Sequence, residues 1–264
     1  MSMPFFSPGD DPGPDFAALL VRTGHQAPDL PANASDRIEI AHGTTCVASR
    51  YADGVVIAGD RRATSGNWIS HRTIQKVFPA DRYSGVAIAG AAGPAIEMVR
   101  LFQLQLEHYE KVEGSHLSLE GKANQLSQMI RNNLPAAMSG MAVVPIFAGY
   151  DTHRSVGRLF QYDITGGRYE ETDHTSTGSG SMHASTVIKL GYRSDMDRAQ
   201  TIDLVLRSLW EAADEDSATG GPDLMRRIFP VVATVTVDGF SRVEDAELET
   251  RTRAMLDALA EARS

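Results

Sequence analysis

Thr44 stands immediately after Gly43, and two further residues follow at equal intervals: Asp60 sixteen positions on, and Lys76 sixteen beyond that. A threonine hydroxyl is a poor nucleophile without a base. Cutting the Gly43–Thr44 bond would supply one. Thr44 would gain a free α-amine with a reference pKa of about 7.7–8.0, far below the roughly 10.4 of lysine. Such an amine can be neutral near physiological pH and take the hydroxyl proton through one water, so one residue provides both nucleophile and base. Glycine before the cut lets the backbone bend until the Thr44 hydroxyl reaches the Gly43 carbonyl. A buried Lys76, held charged by Asp60, would lower the pKa of the neighbouring amine and hydroxyl. Each piece has a plainer alternative. Gly43-Thr44-Thr45 alone is a weak signal, Asp60 also reads as a surface partner of Arg62, and Lys76 also reads as a solvated charge.

Two glycine-rich stretches are the next candidates. Ala89-Gly90-Ala91-Ala92-Gly93 closes a strand and opens a helix, where free backbone N–H groups would hold an oxyanion, or where small residues simply permit close packing. Gly178-Ser179-Gly180 resembles part of a phosphate loop but lacks the rest of a Walker or dinucleotide pattern, which argues against a nucleotide. The eight histidines show no metal-ligand spacing and Cys46 is the single cysteine, so neither zinc nor any cofactor is expected. Cys46 lies in an apolar run and reads as a small packing residue.

Those residues need elements to position them. Thr45–Tyr51 and Val55–Asp60 read as strands joined by a tight turn at Ala52-Asp53-Gly54. Further strands are predicted at Tyr83–Gly90, Val143–Tyr150, Arg158–Asp163, Tyr169–Thr175 and Val231–Val237. Helical spacing of apolar residues predicts a helix from about Pro94, then Ser118–Ala137, Met182–Leu190, Arg198–Ala213 and Asp245–Ala262. The hairpins imply antiparallel sheets and the grouped helices imply layers outside them, an α+β domain over 44–264. Residues 1–43 differ: they hold six of the twelve prolines and little periodicity. They read as a tail that cannot offset its ordering entropy, or as a removable pro-segment.

Bulk properties exclude several function classes. Charges sum to 25 − 34 = −9, against a nucleic-acid binder or an anionic membrane surface. No stretch approaches the roughly 18 apolar residues of a membrane span, and the amino terminus lacks the basic and apolar regions of a secretory signal. One cysteine permits no intrachain disulfide and fits a cytoplasmic location.

Taken together, the segments resemble the β-subunits of proteasomes, which are amino-terminal-nucleophile hydrolases. The resemblance runs over essentially all of Thr44–Ala262. It is carried by Gly43-Thr44-Thr45, by Gly59-Asp60-Arg61-Arg62-Ala63-Thr64-Ser65-Gly66-Asn67-Trp68, by Lys76-Val77 and by Ala89-Gly90-Ala91-Ala92-Gly93. Gly178-Ser179-Gly180 and Asp216-Ser217-Ala218-Thr219-Gly220-Gly221 follow in the expected order. The acidic, proline-rich leader is similar to actinobacterial subunits.

The resemblance implies a four-layer α/β/β/α sandwich and a threonine endopeptidase without cofactor. Residues 1–43 would be a propeptide removed autocatalytically between Gly43 and Thr44. Thr44 would be nucleophile and proton acceptor, Lys76 would tune its pKa, and Asp60 would orient Lys76. The Gly90 N–H would face the oxyanion. Ser179 and Asp216 would support the Thr44 amine and its water. Thr219 stands where the family commonly carries serine and keeps the hydroxyl. Thr64 and Ala92 would bind substrate backbone, and Ala63, Ile74, Ile88, Ala92 and Ile96 would line an uncharged pocket favouring large apolar residues. Two seven-membered β rings between two α rings, and a ring ATPase feeding unfolded proteins, complete the implied assembly. A non-cutting ring subunit would be expected to lack Thr44, Asp60 or Lys76. The related peptidase of six-membered rings normally lacks both the long leader and the Arg-Ala-Thr-Ser-Gly-Asn-Trp run.

Overall fold

Alternation of side chains along the strands decides how the layers stack. The computed structural model describes residues 43–263. Twelve strands occur in it: β1 (Thr45–Tyr51), β2 (Gly54–Gly59), β3 (Ala63–Ser65), β4 (Trp68–His71), β5 (Val77–Asp81), β6 (Ser84–Gly90), β7 (Val143–Asp151), β8 (Val156–Tyr162), β9 (Arg168–Glu171), β10 (His174–Gly178), β11 (Val231–Thr236) and β12 (Gly239–Arg242). One five-stranded sheet runs β10-β1-β2-β11-β12 and the other β5-β6-β7-β8-β9; β3 and β4 pair as a separate hairpin. All pairings are antiparallel.

Successive residues of a strand point to opposite faces. In the first sheet Cys46, Ala48, Val55, Ile57, Val231 and Val235 meet Ala87, Ile146, Ala148 and Leu159 of the second, forming the layer between the sheets. The intervening Val47, Val56, Ala58 and Val232 face outward onto α4 (Ser181–Gly191) and α5 (Arg198–Glu215), with Leu248 of α6 (Asp245–Arg263) in the same cluster. On the opposite side, Val86, Ile88, Phe147 and Phe160 face α1 (Ala92–Glu113) and α2 (Leu119–Asn132). The Phe102 and Phe147 rings meet edge-on at 5.9 Å. Burying each such ring is worth about 3 kcal/mol. The result is the four-layer α/β/β/α sandwich that the resemblance implied.

Several elements depart from the expectation. The helix predicted over Ser118–Ala137 is two: α2 stops at Asn132, and α3 (Leu134–Met138) restarts with Pro135 in its first turn. Pro135 has no N–H to continue the first helix, and a new N-terminus needs none. The strand predicted over Tyr169–Thr175 is also two, because Thr172 and Asp173 carry the chain from β9 in one sheet to β10 in the other. Strand β5 has no counterpart in the expectation; its Pro79 lies at a sheet edge, where a missing N–H is tolerated. Hairpin β3–β4 has no buried face, and Trp68 is 81% exposed, so it shows no apolar alternation. The expected pro-segment lies, but for Gly43, outside the described residues. Among those residues no helix is long and apolar enough to cross a membrane.

Candidate active site

The equal spacing of Thr44, Asp60 and Lys76 becomes one place because all three sit at strand ends. Strands β1 and β2 pair with Cys46 opposite Gly59, so the start of one lies beside the end of the other. The Asp60 N–H donates to the Thr45 carbonyl at 3.0 Å, and the Thr45 N–H donates to Asp60 Oδ1 at 2.9 Å. Lys76 directly precedes β5, and its carbonyl accepts from the Ile88 N–H at 2.8 Å. Its side chain therefore reaches from the second sheet to the first.

Lys76 and Asp60 are almost fully buried, at 3% and 0% exposure. An ammonium has three protons to place. Lys76 Nζ places them on Asp60 Oδ1 (2.6 Å), the Arg62 carbonyl (2.5 Å) and the Gly43 carbonyl (3.3 Å). Asp60 is equally saturated, since Oδ2 accepts the N–H groups of Arg62 (2.8 Å) and Gly220 (2.9 Å). The Arg62 guanidinium instead donates to the Ser217 carbonyl. The surface pair that sequence left open for Asp60 is therefore replaced by a buried one with Lys76.

Thr44 is 5% exposed, and its Oγ1 donates to the Gly43 carbonyl oxygen at 2.7 Å. The same oxygen is the third acceptor of Lys76, so a hydroxyl and a cation converge on one carbonyl. A Cβ built on Gly43 would stand 2.2 Å from Ala218 Cβ and 2.6 Å from the Ala218 carbonyl oxygen. Space alone therefore demands glycine there, a reason separate from the flexibility argued above.

Behind Thr44 lies a hydroxyl and carboxylate cluster. The Ser179 N–H donates to the Thr44 carbonyl at 2.8 Å, and Ser179 Oγ lies 3.4 Å from the Thr44 nitrogen. Ser179 and Thr219 both donate to Asp216 Oδ2, at 2.5 and 2.6 Å. Burial raises the Asp216 carboxyl, and the hydrogen bonds from Ser179, Thr219 and the Ala218 N–H outweigh it, holding the group below its ordinary range. Thr219 touches Thr45 Oγ1, one residue along from Thr44.

The remaining expected residues gather in front of Thr44. Ala63, Thr64, Ile74, Ile88, Gly90, Ala92 and Ile96 line one small cavity together with Gly43, Thr44 and Lys76. Gly90 has φ 110°, and a Cβ there would stand 2.1 Å from the Ala142 carbonyl oxygen, so no other residue fits. Helix α1 begins two residues later with no side-chain cap, leaving N–H groups at its start. Sequence reasoning missed Gln75 and Ala95, which also line the cavity, and the Arg62 carbonyl and Gly220 N–H, which act through backbone and carry no side-chain signal. Cys46 is fully buried, and burial pushes its thiol up to about 12, as a packing residue should be. No group of three or more histidine, cysteine or acidic residues placed to hold a metal ion occurs among the described residues.

The chain is similar to known proteins. The family model described as "Proteasome subunit" matches residues 40–225. A protein named "Proteasome subunit beta" from Acidimicrobium ferrooxidans is 59% identical over 249 residues, covering 94% of this chain and 91% of the relative. Another of that name from Streptomyces griseus subsp. griseus is 54% identical over 259 residues, covering 96% and 90%.

Proposed function

The chain belongs to the proteasome subunit family, and from that premise we propose that it is the catalytic β-subunit of a proteasome core, a threonine peptidase that frees its own nucleophile by cutting between Gly43 and Thr44. The observation that carries the reading is the convergence of Thr44 Oγ1 and Lys76 Nζ on the Gly43 carbonyl oxygen. In the processing step the Thr44 oxygen bonds to the Gly43 carbonyl carbon, and the Gly43–Thr44 C–N bond breaks. The hydroxyl proton passes to the departing nitrogen, and the products are an ester and a free α-amine. Water then hydrolyses the ester, releasing residues 1–43 with a new carboxylate and restoring the hydroxyl.

Removal of the leader also removes one acceptor of Lys76. Its third proton is then free to face Thr44 Oγ1, lowering the pKa of hydroxyl and amine alike. The amine accepts the hydroxyl proton through one water, and Thr44 attacks the substrate carbonyl. The Gly90 N–H receives the oxyanion. The leaving amine takes the proton, and water completes the hydrolysis. Thr64 and Ala92 hold the substrate backbone in strand fashion.

The assembled wild-type particle should begin at Thr44, read as loss of residues 1–43 from the intact mass. Gly43→Ala, which crowds Ala218, should slow that loss at least about tenfold. A particle that forms rings, cleaves peptides and retains residues 1–43 overturns the reading.

The cavity in front of Thr44 supports a preference for large apolar or aromatic residues on the amino-terminal side of the cut. Among the six residues proposed to contact substrate there, none is charged. Burying an unpaired charge among them is costly. Fluorogenic peptides ending in Tyr or Leu should be cut at least about tenfold faster than those ending in Arg or Glu; the reverse order refutes the assignment.

Membership in the family also supports assembly with proteasome α-subunits. The finer reading has two seven-membered β rings between two α rings in the cytoplasm, with a ring ATPase feeding unfolded proteins through the α ring.

A further inference from the structure

Thr45 is fully buried beside the nucleophile, and its hydroxyl belongs to neither the nucleophile nor the Lys76–Asp60 pair. The directions of its hydrogen bonds follow from counting protons. An ionised carboxylate only accepts, so Thr219 donates its single hydroxyl proton to Asp216 Oδ2 at 2.6 Å. Thr219 then has nothing left to give Thr45, whose Oγ1 lies 2.5 Å from its own. Thr45 must be the donor in that pair. Its lone pairs in turn accept the Gly180 N–H at 3.0 Å. The chain is therefore one-way: Gly180 N–H to Thr45, Thr45 to Thr219, Thr219 to Asp216.

The same count applies to Ser179. Its proton is committed to Asp216 at 2.5 Å, so toward the Thr44 nitrogen, 3.4 Å away, Ser179 Oγ offers a lone pair. Both hydroxyls thus meet on one carboxylate oxygen, and where that oxygen sits decides where Ser179 points. We propose that Thr45 is a positioning residue for the reaction: by donating to Thr219 it fixes that hydroxyl toward Asp216, which aims Ser179 at the Thr44 nitrogen. Without the Thr45 proton, Thr219 can turn away from the carboxylate, and the Gly180 N–H loses its acceptor. The inference rests on the reading of Thr44 as nucleophile and proton acceptor.

The test uses the full chain assembled with its proteasome α partner, in particles whose mass shows them to begin at Thr44. Thr45→Val keeps the shape and deletes the hydroxyl. It is expected to lower kcat for a fluorogenic peptide by about 10–100-fold while leaving KM nearly unchanged, since Thr45 does not line the cavity. Thr45→Ser keeps the proton and should restore the rate; a serine variant as impaired as valine would mean the methyl, not the hydroxyl, matters, and the proposal fails. A double-mutant cycle with Thr219→Val supplies the sharper criterion. If Thr45 acts through Thr219, the double variant is no slower than Thr219→Val alone. Penalties that multiply would overturn the proposal. Where Thr45→Val forms no rings, Thr45→Ala takes its place in the same cycle. A Thr44→Ala particle run alongside separates the two claims: full activity there sinks the nucleophile reading, whereas an inactive Thr44→Ala beside a fully active Thr45→Val sinks this one alone.

Discussion

Thr44→Ala is expected to keep residues 1–43 attached and to hydrolyse peptides more slowly by about 10⁴-fold or more. The size of the effect follows from how little else at the site can substitute. Alanine removes the Oγ1 that lies 2.7 Å from the Gly43 carbonyl oxygen. With it goes the release of the α-amine, so nucleophile and base are lost together. Two neighbouring hydroxyls are committed elsewhere: Ser179 to Asp216, and Thr45 between Gly180 and Thr219. Stability should barely change, since one neutral hydrogen bond contributes about 0.5–1.5 kcal/mol. Thr44→Ser retains the hydroxyl and should both process and cleave. Intact mass and peptide hydrolysis on purified rings read both halves; equal turnover with alanine at position 44 would end the proposal.

The contrast between what was legible and what was not has a physical pattern. Thr44, Asp60 and Lys76 are recognisable by side-chain type, and the Ala52-Asp53 turn that brings the first two together is recognisable as a turn. The meaning of the second interval, from Asp60 to Lys76, needed the two sheets to be stacked, which no local pattern encodes. Strands were legible as short apolar runs where both faces are buried, as in β1, β2 and β7. That signal is missing from β3 and β4, which bury neither face, and the boundary between β9 and β10 was missed because the crossing at Thr172 and Asp173 carries no glycine or proline to mark it. Pro135 did mark the break between α2 and α3; the apolar period on either side of it masked the signal. Backbone groups stayed invisible throughout. The Arg62 carbonyl and the Gly220 N–H complete the coordination of Lys76 and Asp60, and any residue at those positions would display the same atoms in sequence.

The buried pair itself yields the second large effect, and it separates folding from chemistry. Asp60→Asn preserves shape but leaves Lys76 a buried cation without its counterion. It also turns one acceptor atom into a donor facing donors, because both Asp60 oxygens accept only: Oδ1 from Lys76 and the Thr45 N–H, Oδ2 from the Arg62 and Gly220 N–H groups. Breaking such a pair costs about 3–5 kcal/mol. For a domain of this size that corresponds to a fall in Tm of about 6–20 °C, compared at equal particle concentration. Peptidase activity should vanish with it, which on its own would not distinguish a damaged fold from a missing cation. The double variant Asp60→Asn, Lys76→Met makes the distinction. It removes the uncompensated charge and fills the space with an apolar chain of similar length, so the part of the lost stability that the unpaired cation costs should return. Activity should not return, because no cation remains to lower the pKa of Thr44. Thermal unfolding and peptide hydrolysis on the same preparations would show stability and turnover moving apart. A double variant that regained turnover with its stability would mean that Lys76 holds the site together without tuning it.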